Sequence, residues 1–340
     1  MNSTLEINSL SKVPKYKQVV DNILADIHLG KFKKGQKLPS INETSFEYLL
    51  SRDTVEKAYN ELRNKGIIVS VRGKGYYVND TQSIGKKKVL LMLNKVNNYK
   101  KLIYTSFFNK LQDKATVDLK IHNGDIHLLK EFIQDDLRAY HYIMVLSQFN
   151  AADQEVSTVL KSIPKEKLIL LEYKPSNFNN FNSSLCHDIE KDVYEALKQG
   201  MVHFDKYEEL EMIFPLTADS CYARQMKDSF RNFCFHHKYA FSISNGLMEN
   251  RIKKGKILLL TEEEDLIEAI KICNNKHLKI GEDIGIISFN DNPIKEVLCN
   301  GIDVITPDYD QLTDQMANIV LNNERLLKNN NFYYIKRSSV

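Results

Sequence analysis

The chain of 340 residues predicts an α/β protein in two parts, a small winged helix-turn-helix head and a larger body of alternating strands and helices. Three observations predict it. Three helical periodicities and a glycine-bearing hairpin fill the first 80 residues. A polar, lysine-rich stretch follows. Beyond it, continuous apolar runs alternate with amphipathic segments to the end, the pattern of parallel βαβ units. At about 150 residues per domain the length calls for two or three domains.

Within the head, Tyr16, Val20, Ile23, Leu24 and Ile27 recur at helical spacing, with Pro14 before them and Gly30 after. Leu38-Pro39 leads to Ser40, and Glu43 three residues on completes a capping box that opens a short helix over about 41–49. Ser51 is the next N-cap. Val55, Ala58, Tyr59 and Leu62 form the apolar face of a third helix that Gly66 ends. Tyr48 and Tyr59 read as core residues. Two β runs, 67–71 and 76–78, flank the loop Arg72-Gly73-Lys74-Gly75. The boundaries predicted are a head over 1–80, a linker over 81–88 and a body over 89–340.

In the body the apolar runs are 89–93, 117–121, 142–146, 168–171, 210–214, 239–243, 256–260 and 284–289. Helical patterns lie between most of them, at 99–113, 126–139, 152–162, 188–199, 219–237, 262–275 and 309–328. Some eight strands fit either one large sheet or two smaller lobes.

Composition narrows the function. Hydrophobic residues make up 43% and charged residues 27%, a globular balance. No run reaches the ~18 apolar residues of a membrane span. The N-terminus lacks a signal-peptide apolar core. Cys186, Cys221, Cys234, Cys273 and Cys299 are scattered without a C-x-x-C pair, which argues against a disulfide framework or zinc ribbon and for a cytoplasmic setting. Of the net +3, the first 80 residues hold +4 and the rest −1, so the head expects an anionic partner.

The helix–hairpin arrangement predicts double-stranded DNA as that partner. In a winged helix-turn-helix the third helix enters the major groove by its N-terminal end, here Ser51, Arg52, Asp53 and Thr54. Arg52 suits guanine O6/N7, while Ser51, Thr54 and the helix N-terminus suit phosphate. Arg72, Gly73 and Lys74 form a slim cationic wing tip. No cofactor, metal or catalytic motif is expected: P-loop, H-E-x-x-H and G-x-S-x-G are missing, and Glu262 to Asp265 reads as a helix-start charge cluster.

These residues resemble the GntR family. Pro14-x-Tyr16-x-Gln18, Gly35-x-x-Leu38-Pro39-Ser40, Leu50-Ser51-Arg52-x-Thr54-Val55, Ala58-Tyr59-x-x-Leu62, Lys65-Gly66 and Gly73-x-Gly75-Tyr76-Tyr77-Val78 carry the likeness. It implies DNA contacts at Ser40, Asn42, Ser51, Arg52, Thr54, Arg72, Gly73 and Lys74. Asn42 and Glu56 stand where members often have arginine, which implies an altered operator.

The body resembles the LacI and periplasmic sugar-binding type. That likeness rests on Gly281-Glu282-Asp283-Ile284-Gly285-Ile286-Ile287-Ser288-Phe289-Asn290-Asp291, on Ile305-Thr306-Pro307, and on Leu185-Cys186-His187-Asp188 with Ala196 and Gly200. It implies two α/β lobes joined by three chain crossings, a ligand in the cleft, a homodimer and a palindromic operator. By position it implies ligand contacts at Asn94, Lys95, Asn123, Glu172, Glu262 and Asn290. Met226 aligns with the family's cleft arginine, and Arg224 is the nearby cation that stands in for it. The function implied is a ligand-responsive transcription regulator, a repressor controlled by a small neutral sugar such as a pentose or deoxyhexose. A sugar-active enzyme fused to a DNA-binding head and a ligand-independent DNA binder are the competing readings.

Overall fold

The computed structural model describes residues 7–8, 11, 13–79, 86–134, 137, 140–215 and 220–340. Most of the linker expected at 81–88 lies outside them.

Local chemistry builds the head. Helices α1 (Lys15–His28), α2 (Ile41–Glu47) and α3 (Arg52–Asn64) precede a hairpin of β1 (Ile68–Val71) and β2 (Gly75–Val78). The capping box is formed: the Glu43 amide donates to Ser40 Oγ at 3.2 Å, and the Ser40 amide donates to Glu43 Oε2 at 2.7 Å. Ser51 caps α3 through the amide of Thr54. Val19, Val20, Val55, Ala58, Tyr59 and Leu62 are buried together. The Tyr59 hydroxyl donates to the Pro39 carbonyl at 2.7 Å and pairs with Thr44 Oγ1 at 2.9 Å, so the deepest aromatic ring of the head leaves no polar atom stranded. Helix α2 ends at Glu47, two residues short of the reading from periodicity, because Leu49 turns the chain at φ +52°.

The body holds two six-stranded sheets, with strands at 183–186, 303–307, 327–329 and 332–335 beyond the eight apolar runs. The first contains β3 (Lys87–Leu93), β4 (Ala115–Ile121), β5 (Tyr142–Leu146), β6 (Leu168–Glu172), β7 (Ser183–Cys186) and β13 (Leu327–Asn329), in the order β13-β7-β6-β5-β3-β4, with every pairing parallel. The second contains β8 (Glu209–Phe214), β9 (Ala240–Asn245), β10 (Lys256–Leu260), β11 (Gly285–Phe289), β12 (Asp303–Pro307) and β14 (Phe332–Ile335), in the order β14-β12-β11-β10-β8-β9; only β14 runs antiparallel. Strands β5, β6, β10 and β11 are buried along their whole length, which is why they read as apolar runs.

Helices α4 (Asn98–Lys110), α5 (Ile126–Gln134) and α6 (Asp153–Leu160) belong to the first lobe, and α7 (Ile189–Gly200), α8 (Cys221–His237), α9 (Glu263–Asn275) and α10 (Pro293–Val297) to the second. Helix α11 (Tyr309–Asn322) returns to the first, burying Leu312, Met316 and Ile319 with Tyr99 and Phe107. The periodic segment expected to run to 328 stops at Asn322; residues 327–329 pair with β7 instead. The chain therefore crosses between lobes three times, after Cys186, after Pro307 and after Asn329. The head meets the first lobe where the His28 ring stands edge-on to His141 at 4.0 Å and Leu29 packs against the lobe's core.

Candidate functional site

On the head, Asn42, Ser51, Arg52, Arg72, Gly73 and Lys74 are exposed, and Thr54 is half-buried. The hydroxyls of Ser51 and Thr54 pair with each other at 2.7 Å. Ser40 is exposed but engaged in its capping box. Among the described residues the side chains of Arg52, Arg72 and Lys74 make no hydrogen bond or ion pair. Gly73 at φ +73° and Gly75 at φ +109° let the wing tip turn without bulk, and a Cβ on Gly75 would come within 3.1 Å of Lys37 Cε. The surface so formed is a helix N-terminus and a cationic tip, both open to solvent.

In the body, the C-terminal ends of β3, β4, β5, β6, β8, β10 and β11 converge on one cavity of about 290 Å³ between the lobes. A cleft outside strand C-termini is where parallel sheets hold ligands. Asn94, Lys95, Asn123, Glu172, Met226, Glu262 and Asn290 all line it. Three of these sit at strand ends in left-handed backbone: Asn123 (φ +52°), Glu172 (φ +61°) and Asn290 (φ +60°). For a glutamate that conformation is uncommon and costs energy, a mark of a position held by its surroundings.

Those surroundings are specific. Lys100, in the first turn of α4, is buried and ion-pairs with Glu172 Oε1. Gln148 donates to Glu172 Oε2 at 3.1 Å and accepts from Asn94 Nδ2 at 3.0 Å. Burial pulls the Lys100 ammonium below its usual range, and the adjoining carboxylate opposes that fall. Asn290 is set by Lys295, whose buried ammonium spends its three protons on Ser288 Oγ (2.8 Å), the Phe289 carbonyl (2.8 Å) and the Asn290 carbonyl (2.6 Å). Burial lowers Lys295 to about 8. Asn123 follows His122, whose ring spans the Leu146 carbonyl (Nε2, 2.9 Å) and the Gly124 amide (Nδ1, 3.1 Å).

Lys95 and Glu262 meet each other across the cleft, with Lys95 Nζ 2.5 Å from Glu262 Oε2 and 2.7 Å from Oε1. Asn98 Nδ2 reaches Glu263 Oε2 at 2.8 Å, a second contact between the lobes.

One expectation needs correction. Arg224 does not line the cavity; it is exposed, and its Nη2 donates to Cys221 Sγ at 3.3 Å. Helix α8 turns Tyr222, Ala223 and Met226 toward the cleft, and a residue two positions from Met226 lies on the opposite face. Reasoning from sequence missed Asn97, Lys100, Gln148, Asn150, His187, Tyr222 and Thr261, which also line the cavity. Thr261 and Gln148, one and two residues past strands, carried the signal used for Asn94. Lys100 and Tyr222 lie in the first turns of helices and carried none.

Residues 15–78 match the family described as "Bacterial regulatory proteins, gntR family". The head is a gntR-family domain. Two relatives are alike over this part. The HTH-type transcriptional repressor YtrA of Bacillus subtilis (strain 168) is 36% identical over 76 residues, 22% of this chain and 58% of that protein. The arabinose metabolism transcriptional repressor of Geobacillus stearothermophilus is 35% identical over 81 residues, 22% of each chain. The chain thus spans under two thirds of either relative. Behind the gntR-type head, the body has the LacI and periplasmic-binding-protein fold. A dimeric Lac repressor lacking 11 C-terminal residues superposes with TM-score 0.63 at 12% identity, covering 74% of this chain and 98% of that one. A periplasmic binding protein/LacI transcriptional regulator from Alkaliphilus metalliredigens QYMF, complexed with D-xylulofuranose, gives TM-score 0.58 at 12% identity, covering 75% and 99%.

Proposed function

We propose that this protein is a transcription repressor that binds a palindromic operator as a homodimer and is controlled by a small neutral sugar held between the lobes. The observation that carries the reading is the lining of the cleft. Six carboxamides (Asn94, Asn97, Asn123, Gln148, Asn150 and Asn290) face a cavity in which two lysines are matched by two glutamates. Amides offer both donors and acceptors, which suits hydroxyl groups, and matched charges leave no net field to select a phosphate. Phe214, Tyr222 and Phe289 supply apolar faces, and Met226 suits a methylene edge. A volume near 290 Å³ is at the small end of ligand pockets and fits a single sugar ring.

The proposed division is a head over 1–80, a linker over 81–88 and a body over 89–340. Dimer contacts fall on the sheet edges: β4 and β9 are edge strands, and Phe108, Leu119, Phe235 and Phe241 are exposed on or beside them. On this reading Ser40, Asn42, Ser51, Arg52, Thr54, Arg72, Gly73 and Lys74 contact DNA. The relatives YtrA and the arabinose metabolism repressor are both named as repressors, which supports the sign of regulation.

Thermal shift against L-arabinose, D-xylose, D-ribose, L-fucose and their phosphates tests the cleft, and a mobility shift of the operator with the sugar that binds tests the response. A neutral sugar that raises the melting temperature and weakens operator binding is expected. Asn290→Ala then binds that sugar ~10-fold or more weaker, since a hydroxyl loses its buried partner. A phosphate as the sole ligand would overturn this reading.

A further inference from the structure

We propose that His187 couples the cleft to the hinge: its Nε2 accepts a hydrogen bond from a ligand hydroxyl while its Nδ1–H holds the crossing strand at Asn330. This deepens the sugar-cleft reading above and rests on it.

The three crossings between lobes run through Cys186-His187-Asp188, Pro307-Asp308 and Asn329-Asn330. Asn330 ties them into one unit. Its amide donates to the Cys186 carbonyl at 3.0 Å, and its Nδ2 donates to the Asp308 carbonyl at 3.3 Å. The third tie is His187 Nδ1 on the Asn330 carbonyl. The same residue borders the cleft: its amide donates to the carbonyl of Glu172 at 2.8 Å, and His187 is part of the cavity lining. One residue therefore borders the ligand space and holds the knot of crossings.

Its protonation follows from those partners. A carbonyl only accepts, so Nδ1 carries the hydrogen. Burial disfavours the imidazolium and outweighs the attraction of the Glu172 carboxylate, with the Lys100 ammonium adding to the fall. The neutral ring leaves Nε2 as a bare acceptor. Among the described residues none donates to it, and the atom is not fully buried. The ring is held from behind by Phe332, centroid to centroid 4.7 Å. Around it the cavity presents amides and paired ions, so the vacant acceptor selects a ligand with a hydroxyl donor at that point. Any motion of the lobes that shifts the crossings changes the ring's position, so a ligand on Nε2 favours one arrangement over the other. That differential affinity is what coupling requires.

The test uses the full chain with L-arabinose, D-xylose and D-ribose as probes. In 15N-histidine-labelled wild type, His187 is expected as the Nδ1–H tautomer, and the Nε2 resonance moves upfield with the pentose that binds. Two variants separate the two ends of the ring. His187→Asn keeps a donor near the Nδ1 position and loses the acceptor; pentose affinity falls ~10-fold, while saturating pentose still releases operator. His187→Gln places an amide oxygen near the Nε2 position and loses the hinge bond; pentose affinity falls less than in His187→Asn, while operator affinity no longer responds to saturating pentose. An Nε2–H tautomer, an unmoved Nε2 resonance on pentose binding, or wild-type switching in both variants overturns the proposal. If none of the pentoses binds wild type, the choice of sugar fails separately. The hinge half is then decided by the tautomer and by hydrogen exchange at residues 330–332, expected faster in His187→Gln than in His187→Asn; equal exchange overturns it. Should both variants fail to fold, the labelled wild type still decides.

Discussion

Acid is expected to weaken the first lobe through His122, and the effect can be worked from its contacts. His122 is fully buried, stacked on Phe149 at 4.2 Å between ring centroids. Its Nε2–H donates to the Leu146 carbonyl, so Nδ1 must accept from the Gly124 amide. A proton on Nδ1 would abolish that acceptor and release the loop that carries Asn123 into the cleft. Burial is the main cause that lowers the group from 6.5 to about 4; the Leu146 carbonyl and Asp125 oppose it, and Lys100 adds to it. With the folded pKa below the unfolded one, the unfolded chain binds the proton first. Stability from this group is complete above pH 6.5 and is lost as pH falls toward 4. The full loss is ~3 kcal/mol, of which ~2 kcal/mol has gone by pH 5. Urea unfolding followed by far-UV circular dichroism between pH 7.5 and 4.5 measures it, with His122→Gln as the reference that cannot titrate. His141, held to about 3 by burial and by neighbouring His28, Lys167 and Lys87, titrates in both proteins and cancels in the difference. An identical acid slope in wild type and His122→Gln, or a His122 titration near 6.5 by NMR, would refute the reasoning.

Three further outcomes are expected. Arg52→Ala removes an exposed side chain at the start of α3, so the fold and melting temperature stay intact while discrimination at one guanine falls by ~1–3 kcal/mol in a footprint or mobility shift. Lys74→Ala weakens binding to all sequences alike and lowers the slope of log K against log salt by about one; a loss confined to one base position contradicts the phosphate assignment. Leu49→Gly stabilises the head by roughly 0.5–1 kcal/mol, because leucine is held at φ +52° and its side chain is 88% exposed, so strain is relieved with no packing lost; an unchanged or lower thermal midpoint would contradict this.

Much of the head was legible because its signals are local. Ser40 with Glu43 and Ser51 with Thr54 act within three residues, and the wing needs only its glycines. Most buried strands of the body were legible for a similar reason, being apolar along both faces, whereas Ser183–Cys186 and Asp303–Pro307 are buried but carry Ser, Asp and Thr and left no apolar run. The helical pattern 309–328 takes in Leu327 and Lys328 because the strand Leu327–Asn329 is exposed and has no apolar pattern, its place being set by pairing with β7. That the body divides into two sheets was open from periodicity alone, since either arrangement buries the same runs; the resemblance at 281–291 was needed to expect two lobes.

The cleft shows where local pattern ends. Strand ends together with the likeness to the LacI type pointed to Asn94, Asn123, Glu172 and Asn290, and parallel strands deliver such C-terminal residues to one edge. Local pattern could not tell Met226 from Arg224, two residues apart on one helix, since only the packing of α8 decides which face looks inward. Nor could it pair Lys100 with Glu172, 72 residues away, or Lys95 with Glu262, 167 residues away. Most helices and eight of the body's twelve described strands were legible from caps, turns and periodicity, which act within a few residues. Which charges neutralise one another and which histidine joins cleft to hinge was decided by the tertiary structure alone, because those partners meet only when the chain has crossed between the lobes.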